Sequence, residues 1–268
     1  MSTRATSIMA LINQIQNDEL VLPDLQRDFV WKEEQIRLLF DSIMRGYPFG
    51  SLLLWNTQYV AVPYREFVRD ARTNQTFTTK TKDAGKRMMM VLDGQQRLQS
   101  LFIAALGTYD GRRLYFNVTS GPNSTVKEDD GTGRNYRFEF WRDDEPSRPK
   151  RLVRVADIAS WPPRHEQQEI ERTMQSADLG EDEAPVARSN LQMLRQVLAL
   201  PLLPLETIDE EVLNPEQART IDEILEIFVR VNDGGTRLTK SDLMFSLIKT
   251  KWAGARDAFD TLLEHVNG

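Results

Sequence analysis

A short apolar run, Met88 to Leu92, ends at Asp93-Gly94-Gln95-Gln96-Arg97 and passes directly into Leu98-Gln99-Ser100-Leu101-Phe102-Ile103. The first run has the length and composition of a buried strand, and the second carries apolar side chains at helical spacing. The chain is thereby committed to a strand-to-helix turn near residue 94, in a fold that buries a strand and packs a helix beside it. Turns of this kind aim backbone N–H groups and the positive end of a helix dipole at one point, a common place for an anion. Gly94 permits close backbone approach there. Gln95 and Gln96 can donate and accept, and Arg97 offers a planar fork suited to phosphate. Asp93 suits either of two roles, orienting a water or helping to hold a metal ion. A plainer alternative is a capped helix start, with Asp93 as N-cap and Gln96 as its capping-box partner. The two are compatible, but a cap alone asks for neither two amides nor an arginine.

Two distant stretches share this vocabulary. One is Leu22-Pro23-Asp24-Leu25-Gln26-Arg27-Asp28-Phe29-Val30-Trp31; the other is Phe228-Val229-Arg230-Val231-Asn232-Asp233-Gly234-Gly235-Thr236-Arg237-Leu238. Each joins a phosphate-capable arginine to an amide side chain. Three such stations are expected to converge on one pocket for a polyanion. For the third, a helix C-terminus closed by left-handed glycines explains Gly234 and Gly235, and leaves Arg230 and Asn232 less well explained.

These motifs, with Tyr47-Pro48-Phe49-Gly50-Ser51-Leu52-Leu53-Leu54-Trp55 between them, resemble the N-terminal domain of GmrSD-type, modification-dependent (type IV) restriction endonucleases. The resemblance runs over about residues 8–245. It implies an α+β fold with a ParB/sulfiredoxin-like mixed core, and nucleotide binding and hydrolysis at the Gln-Arg and Asp-Gly-Gln-Gln-Arg motifs. Carried onto this sequence, Asp93, Gln96 and Arg97 are the candidate catalytic residues, and Gln26, Arg27, Gly94, Gln95, Arg230 and Asn232 the candidate nucleotide ligands. It further implies Mg²⁺ accompanying the NTP, modified DNA as a partner, and a His-Asn-His-type nuclease domain, either C-terminal or on a separate chain.

Composition bounds the alternatives. The net charge of −6 counts against a dedicated nucleic-acid binder but not against a local basic face. The stretch from Arg134 to Arg154 has seven basic and four acidic side chains, and a solvated mixed-charge hairpin explains it equally well. There is no cysteine, and the two histidines, His165 and His265, have no ligand neighbours at metal spacing. A nuclease centre therefore cannot be assembled from these residues. Neither a secretion signal nor a run of about 20 apolar residues is present, and a cytoplasmic location is expected.

Apolar spacing predicts helices over 7–17, 31–45, 95–106, 167–175, 187–200, 215–231 and 240–252, and strands over 19–22, 51–55, 88–92, 112–118, 136–141, 152–158 and 202–208. Residues 70–87 and 119–135 read as loops. The division expected is a nucleotide-binding core over 1–160 and a mainly helical region over 161–268 that completes the site. No Walker A pattern occurs, so phosphate would rest on Arg27, Arg97 and Arg230 with turn N–H groups. Three functions stay open at this level. The first is an NTP-binding and hydrolysing sensor that controls a partner nuclease. The second is a non-enzymatic module that binds modified DNA or a partner protein. The third, DNA nicking by the core itself, lacks a metal cluster to support it.

Overall fold

A computed structural model describes residues 2–24, 28–57, 63–71, 79–81, 87–124, 133–209 and 221–232. In chain order the first elements are β1 (Ser2–Thr6), α1 (Ile8–Gln16), β2 (Leu20–Pro23), α2 (Glu33–Met44), β3 (Leu52–Thr57), β4 (Pro63–Arg65), β5 (Asp70–Ala71) and β6 (Lys80–Thr81). Then come β7 (Met88–Asp93), α3 (Gln95–Leu106), β8 (Thr108–Tyr109), β9 (Arg113–Asn117), β10 (Phe138–Trp141), β11 (Leu152–Arg154) and α4 (Val155–Ser160). The rest are α5 (Glu166–Ser176), entered by a 3-10 turn at Pro163–His165, α6 (Ala184–Ala199), β12 (Leu203–Asp209) and α7 (Ile221–Asn232). The expected helix over 240–252 lies outside the described residues. Among those described, no helix is long and apolar enough to cross a membrane.

The architecture is α+β, built on a seven-stranded mixed sheet ordered β1-β12-β3-β7-β2-β4-β6. Its centre alternates direction: β12 and β3 are parallel, β3 and β7 antiparallel, β7 and β2 parallel. Side chains alternate across each strand, so the sheet has two apolar faces. Leu20, Leu22, Leu52, Leu54 and Val91 meet α1, α2, α3 and α6 on one face. Val21, Leu53, Trp55, Met88, Met90 and Leu92 form the other, where Ile224 of α7 packs. A second sheet, β10-β9-β11, adjoins α2, α3 and α4.

Local chemistry accounts for most boundaries. Ser7 caps α1 by accepting from the Ala10 N–H at 3.1 Å. The face Ile36, Leu39, Phe40 and Ile43 drives α2 into the core, and Gly46, at φ 67°, lets the chain leave it. The expected strand over 152–158 is half right. It runs only to Arg154, because Val155, Ile158 and Ala159 are buried together at i, i+3 and i+4, which is helical spacing. β12 lies between β1 and β3, and α6 packs on α1 and α2. Segments on either side of residue 160 thus share one sheet and one core.

Candidate functional site

β7 delivers Asp93 to the end of the central sheet, opposite Leu53 of β3 where the pairing register shifts. The chain then turns through Gly94 at φ 87° and enters α3. Gly94, not Asp93, holds the N-cap position, and no side chain caps the helix. A Cβ at Gly94 would strike Leu52, and the positive φ disfavours any L side chain, so glycine is required twice over.

With the cap unused, Asp93 and Arg97 meet each other. Arg97 Nη2 lies 3.3 Å from Asp93 Oδ2, and Arg97 Nη1 donates to the Phe49 carbonyl at 2.8 Å. Gly50, at φ 91°, lies so close that a Cβ there would overlap the guanidinium. The guanidinium is therefore seated between the Phe49–Gly50 turn and the end of β7, with its side chain one-fifth exposed and Asp93 two-fifths exposed. A fixed, partly exposed cation beside the first turn of a twelve-residue helix is a suitable place for an oxyanion. Among the described residues, Asp93 Oδ1 has no partner. The Tyr47-Pro48-Phe49-Gly50 stretch thus supplies a carbonyl that accepts from the motif arginine. The signal for it was the glycine placed just before β3.

Gln96 does something the capping-box reading did not anticipate. Its Oε1 accepts from the Val30 and Trp31 N–H groups at 2.9 and 3.3 Å, and its Nε2 donates to the Asp28 carbonyl at 3.0 Å. The amide thus acts as a surrogate strand for residues 28–31. One turn on, Gln99 brackets Val68 in the same way, with bonds of 3.0 and 2.8 Å. Both amides are buried, and these bonds allow α3 to bury polar side chains beside Leu98, Leu101 and Phe102. Gln95 is buried as well. The start of the same segment is held by Arg65, itself buried. Its Nε lies 3.5 Å from Asp24 Oδ1, and its Nη1 donates to Asp28 Oδ1 at 2.6 Å. Thr79 also donates to Asp24, at 2.8 Å. Sequence reasoning missed Arg65, because nothing local marks a lone arginine on a three-residue strand.

The first two stations therefore come together: the Asp28–Trp31 segment and the Asp93–Arg97 turn are joined by Gln96. Gln26 and Arg27 lie outside the described residues, although Asp24 and Asp28 on either side of them are anchored. The third station sits differently. α7 packs on the sheet face opposite α3, and Arg230 is exposed and ion-paired with Glu226 one turn earlier at 2.5 Å. Asn232 is the last residue of α7. Arg230 thus approaches from the other face of the sheet rather than beside Arg97, because Ile224 and Ile227 of α7 pack in the second core.

Two arginines of the stretch Arg134–Arg154 are held in ion pairs, Arg134 and Arg154. Arg134 pairs with Glu34 at 3.1 Å. Asp143 accepts from Arg113, Arg154 and the Tyr115 hydroxyl at 3.0, 3.1 and 2.7 Å, and the Arg148 guanidinium lies 4.2 Å over the Tyr115 ring. Burial, then the hydrogen bond to Asp143, pushes the Tyr115 phenol up to about 12. Burial alone would raise Asp143, but the Tyr115 hydroxyl, Arg154 and Arg113 outweigh it and hold its carboxyl below the usual value. His165 is exposed. Among the described residues, no three His, Cys, Asp or Glu side chains group as a metal site.

With this geometry in place, similarity to known proteins is informative. A family model described as "GmrSD restriction endonuclease, N-terminal domain" matches residues 8–249. An uncharacterised protein of Methanocaldococcus jannaschii is 32% identical over 106 residues, covering 39% of this chain. The chain covers 17% of the length of that relative.

Proposed function

This chain belongs to the GmrSD restriction endonuclease N-terminal domain family, and from that premise we propose that it is the NTP-binding and NTP-hydrolysing sensor of a modification-dependent restriction system. The NTP governs a partner nuclease domain, which performs the cleavage of modified DNA. The observation that carries this reading is the Arg97 seat. A guanidinium is locked between a carboxylate and a backbone carbonyl, beside an uncapped helix start and one residue from an amide that holds the neighbouring segment.

In this reading Arg97 and the first-turn N–H groups receive the triphosphate. Gln26 and Arg27, which fall between Asp24 and Asp28 in sequence, are assigned to it as further ligands, and Gln95 adds a polar group at the same turn. Asp93 is the motif carboxylate. Mg²⁺ is commonly held by one or two carboxylates together with substrate phosphates, and that donor set fits a lone Asp93 with a free Oδ1. When bound, the ion would be held by Asp93 with the substrate phosphates and would offset the phosphates' charge. Asp93 also has the alternative task of orienting the attacking water. Arg230 and Asn232 join the site only if α7 moves toward the end of β7.

The test is phosphate release from each of four NTPs, with and without DNA, by the wild type and by Arg97→Ala. Turnover of at least one NTP that falls more than tenfold in the variant supports the proposal. Absence of both binding and turnover for all four sinks it and leaves a module that binds DNA or a partner protein.

A further inference from the structure

Two cavities flank the first turns of α2. One, of about 600 Å³, is lined by Phe29, Trp31 and Tyr109 on its apolar side and by Glu33, Glu34 and Arg37 on its polar side. The other, of about 380 Å³, is lined by Arg37, Arg134, Arg137 and the outer strand Phe138–Trp141. Arg37 lines both. The rings of Tyr109 and Phe140, one from each cavity, lie 5.6 Å apart. The two cavities therefore read as one groove, aromatic at one end and guanidinium-rich at the other. Four basic and three acidic side chains line it, a positive excess on a chain of net charge −6. The guanidinium at the junction is incompletely matched: Arg37 pairs with Glu33 at 2.9 Å, while its buried Nε–H has no partner among the described residues.

We propose that this groove takes an unstacked base of a nucleic-acid strand against Trp31 and Tyr109, with the adjoining phosphates along Arg37, Arg134 and Arg137. This deepens the sensor reading and rests on its claim that the domain meets DNA. Three observations decide the class of ligand. The aromatic end is large enough for a planar heterocycle, and every base presents a π-face to such a platform. The guanidinium edge suits phosphate oxygens. Arg37 and Arg134 are already paired with Glu33 and Glu34, so a fully stacked duplex gains less there from charge alone, and the aromatic end must supply the preference. Trp31 is only half-buried.

The groove is also tied to the nucleotide station. Its aromatic wall is the segment whose backbone Gln96 brackets, at Asp28, Val30 and Trp31. Gln96 is thus a positioning residue: one side chain sets the wall of the groove, and its neighbour Arg97 holds the proposed phosphate seat.

The experiment uses the whole chain and a 12-nucleotide single strand carrying a central 2-aminopurine, beside the same sequence as a perfect duplex. Fluorescence titrations are run on the wild type, Trp31→Leu, Trp31→Phe and the double variant Arg134→Gln/Arg137→Gln, with thermal melts confirming that each is folded. The expected results are at least tenfold preference for the single strand, quenching of the probe on binding, and loss of quenching in Trp31→Leu with roughly five- to hundredfold weaker binding, the range set by losing one stacked base. Trp31→Phe should retain both. The double variant should weaken binding and lower the log–log salt slope by about 1.4, from two phosphate contacts on a single strand. Strand binding without quenching, or binding indifferent to Trp31→Leu, overturns the groove and leaves DNA sensing elsewhere on the domain intact. Binding of neither DNA overturns both. Absence of NTP binding with the DNA results as expected overturns the nucleotide reading alone.

Discussion

Gln96→Ala separates a structural from a chemical role for the second amide of the motif. The substitution removes three hydrogen bonds, from the Val30 and Trp31 N–H groups and to the Asp28 carbonyl. Each is worth about 1 kcal/mol net, and a buried group left without a partner costs about 1–3 kcal/mol. The segment is only part-buried, so water can reach some of the freed groups, and the expected loss is roughly 2–4 kcal/mol. Gln96→Glu keeps the acceptor for both N–H groups but turns an oxygen toward the Asp28 carbonyl, and should cost about half as much. Guanidinium unfolding gives the global value. Amide hydrogen exchange gives the local one, with the Val30 and Trp31 amides exchanging more than tenfold faster in Gln96→Ala. Stability within about 0.5 kcal/mol of wild type together with unchanged protection of those two amides would refute the bracket. Lost NTP turnover with full protection would instead return Gln96 to chemistry alone.

Other expectations follow from the same contacts. Arg97→Ala should fold and bind NTP more weakly by roughly 1.5–3 kcal/mol, the worth of a charged hydrogen bond to phosphate; unchanged affinity by calorimetry would make Arg97 a purely structural residue. Asp41, 1% exposed, accepts from the Asn135 and Tyr136 N–H groups at 3.0 and 2.8 Å and pairs with Arg45 at 3.3 Å. Asp41→Ala should therefore cost roughly 2–4 kcal/mol in a denaturant melt and loosen the entry to β10. Tyr115 has a folded pKa raised to about 12 from 10.0. Its contribution is present below pH 10 and lost as pH rises from there through about 12, a swing of roughly 2–3 kcal/mol. Melting curves across that range should show a slope that Tyr115→Phe lacks. Asp143, with its carboxyl held below the usual value, acts in the opposite direction: its share is present at neutral pH and lost as pH falls through the acid range.

The parts of the fold legible in the sequence were those where one strong periodicity stood alone. β7, Gly94 and α3 are an example: an apolar run, a glycine and a helical stripe admit one local structure. β11 and α4 were not separable, because Leu152, Val153, Val155 and Ile158 satisfy both periods over so short a run. For the candidate site, residue types were legible and partners were not. Gln96 looked like a cap because i to i+3 spacing is what a capping box requires. Its real partners lie 65–68 residues away and are backbone atoms, which carry no sequence signature. Arg65 was invisible for the same reason. Arg230 resembled Arg97 in vocabulary, yet the alternation of side chains across β7 sends the two helices to opposite faces. Shared composition fixes chemistry, and only the sheet decides position.

The Asp93–Arg97 pair leads to one further consequence. A triphosphate arriving at Arg97, as proposed, would meet a carboxylate whose Oδ2 lies 3.3 Å from the same guanidinium. Without a counter-ion, Asp93 repels the phosphates and competes with them for Arg97. Two unit charges 4 Å apart interact by about 4 kcal/mol at an effective dielectric constant of about 20, and the partial exposure of Asp93 reduces that to roughly 1–2 kcal/mol. A divalent cation held by Asp93 with the phosphates would reverse the sign of the contact. Wild-type NTP affinity should therefore rise steeply with Mg²⁺, by tenfold or more. Asp93→Asn should bind NTP more tightly than wild type in EDTA, gain little from Mg²⁺, and hydrolyse slowly in either condition. Calorimetric titrations with and without Mg²⁺ measure both affinities on each protein. If Asp93→Asn retains the full Mg²⁺ enhancement, the ion is held by phosphate alone, and Asp93 is left with the orientation of Arg97 and water as its task.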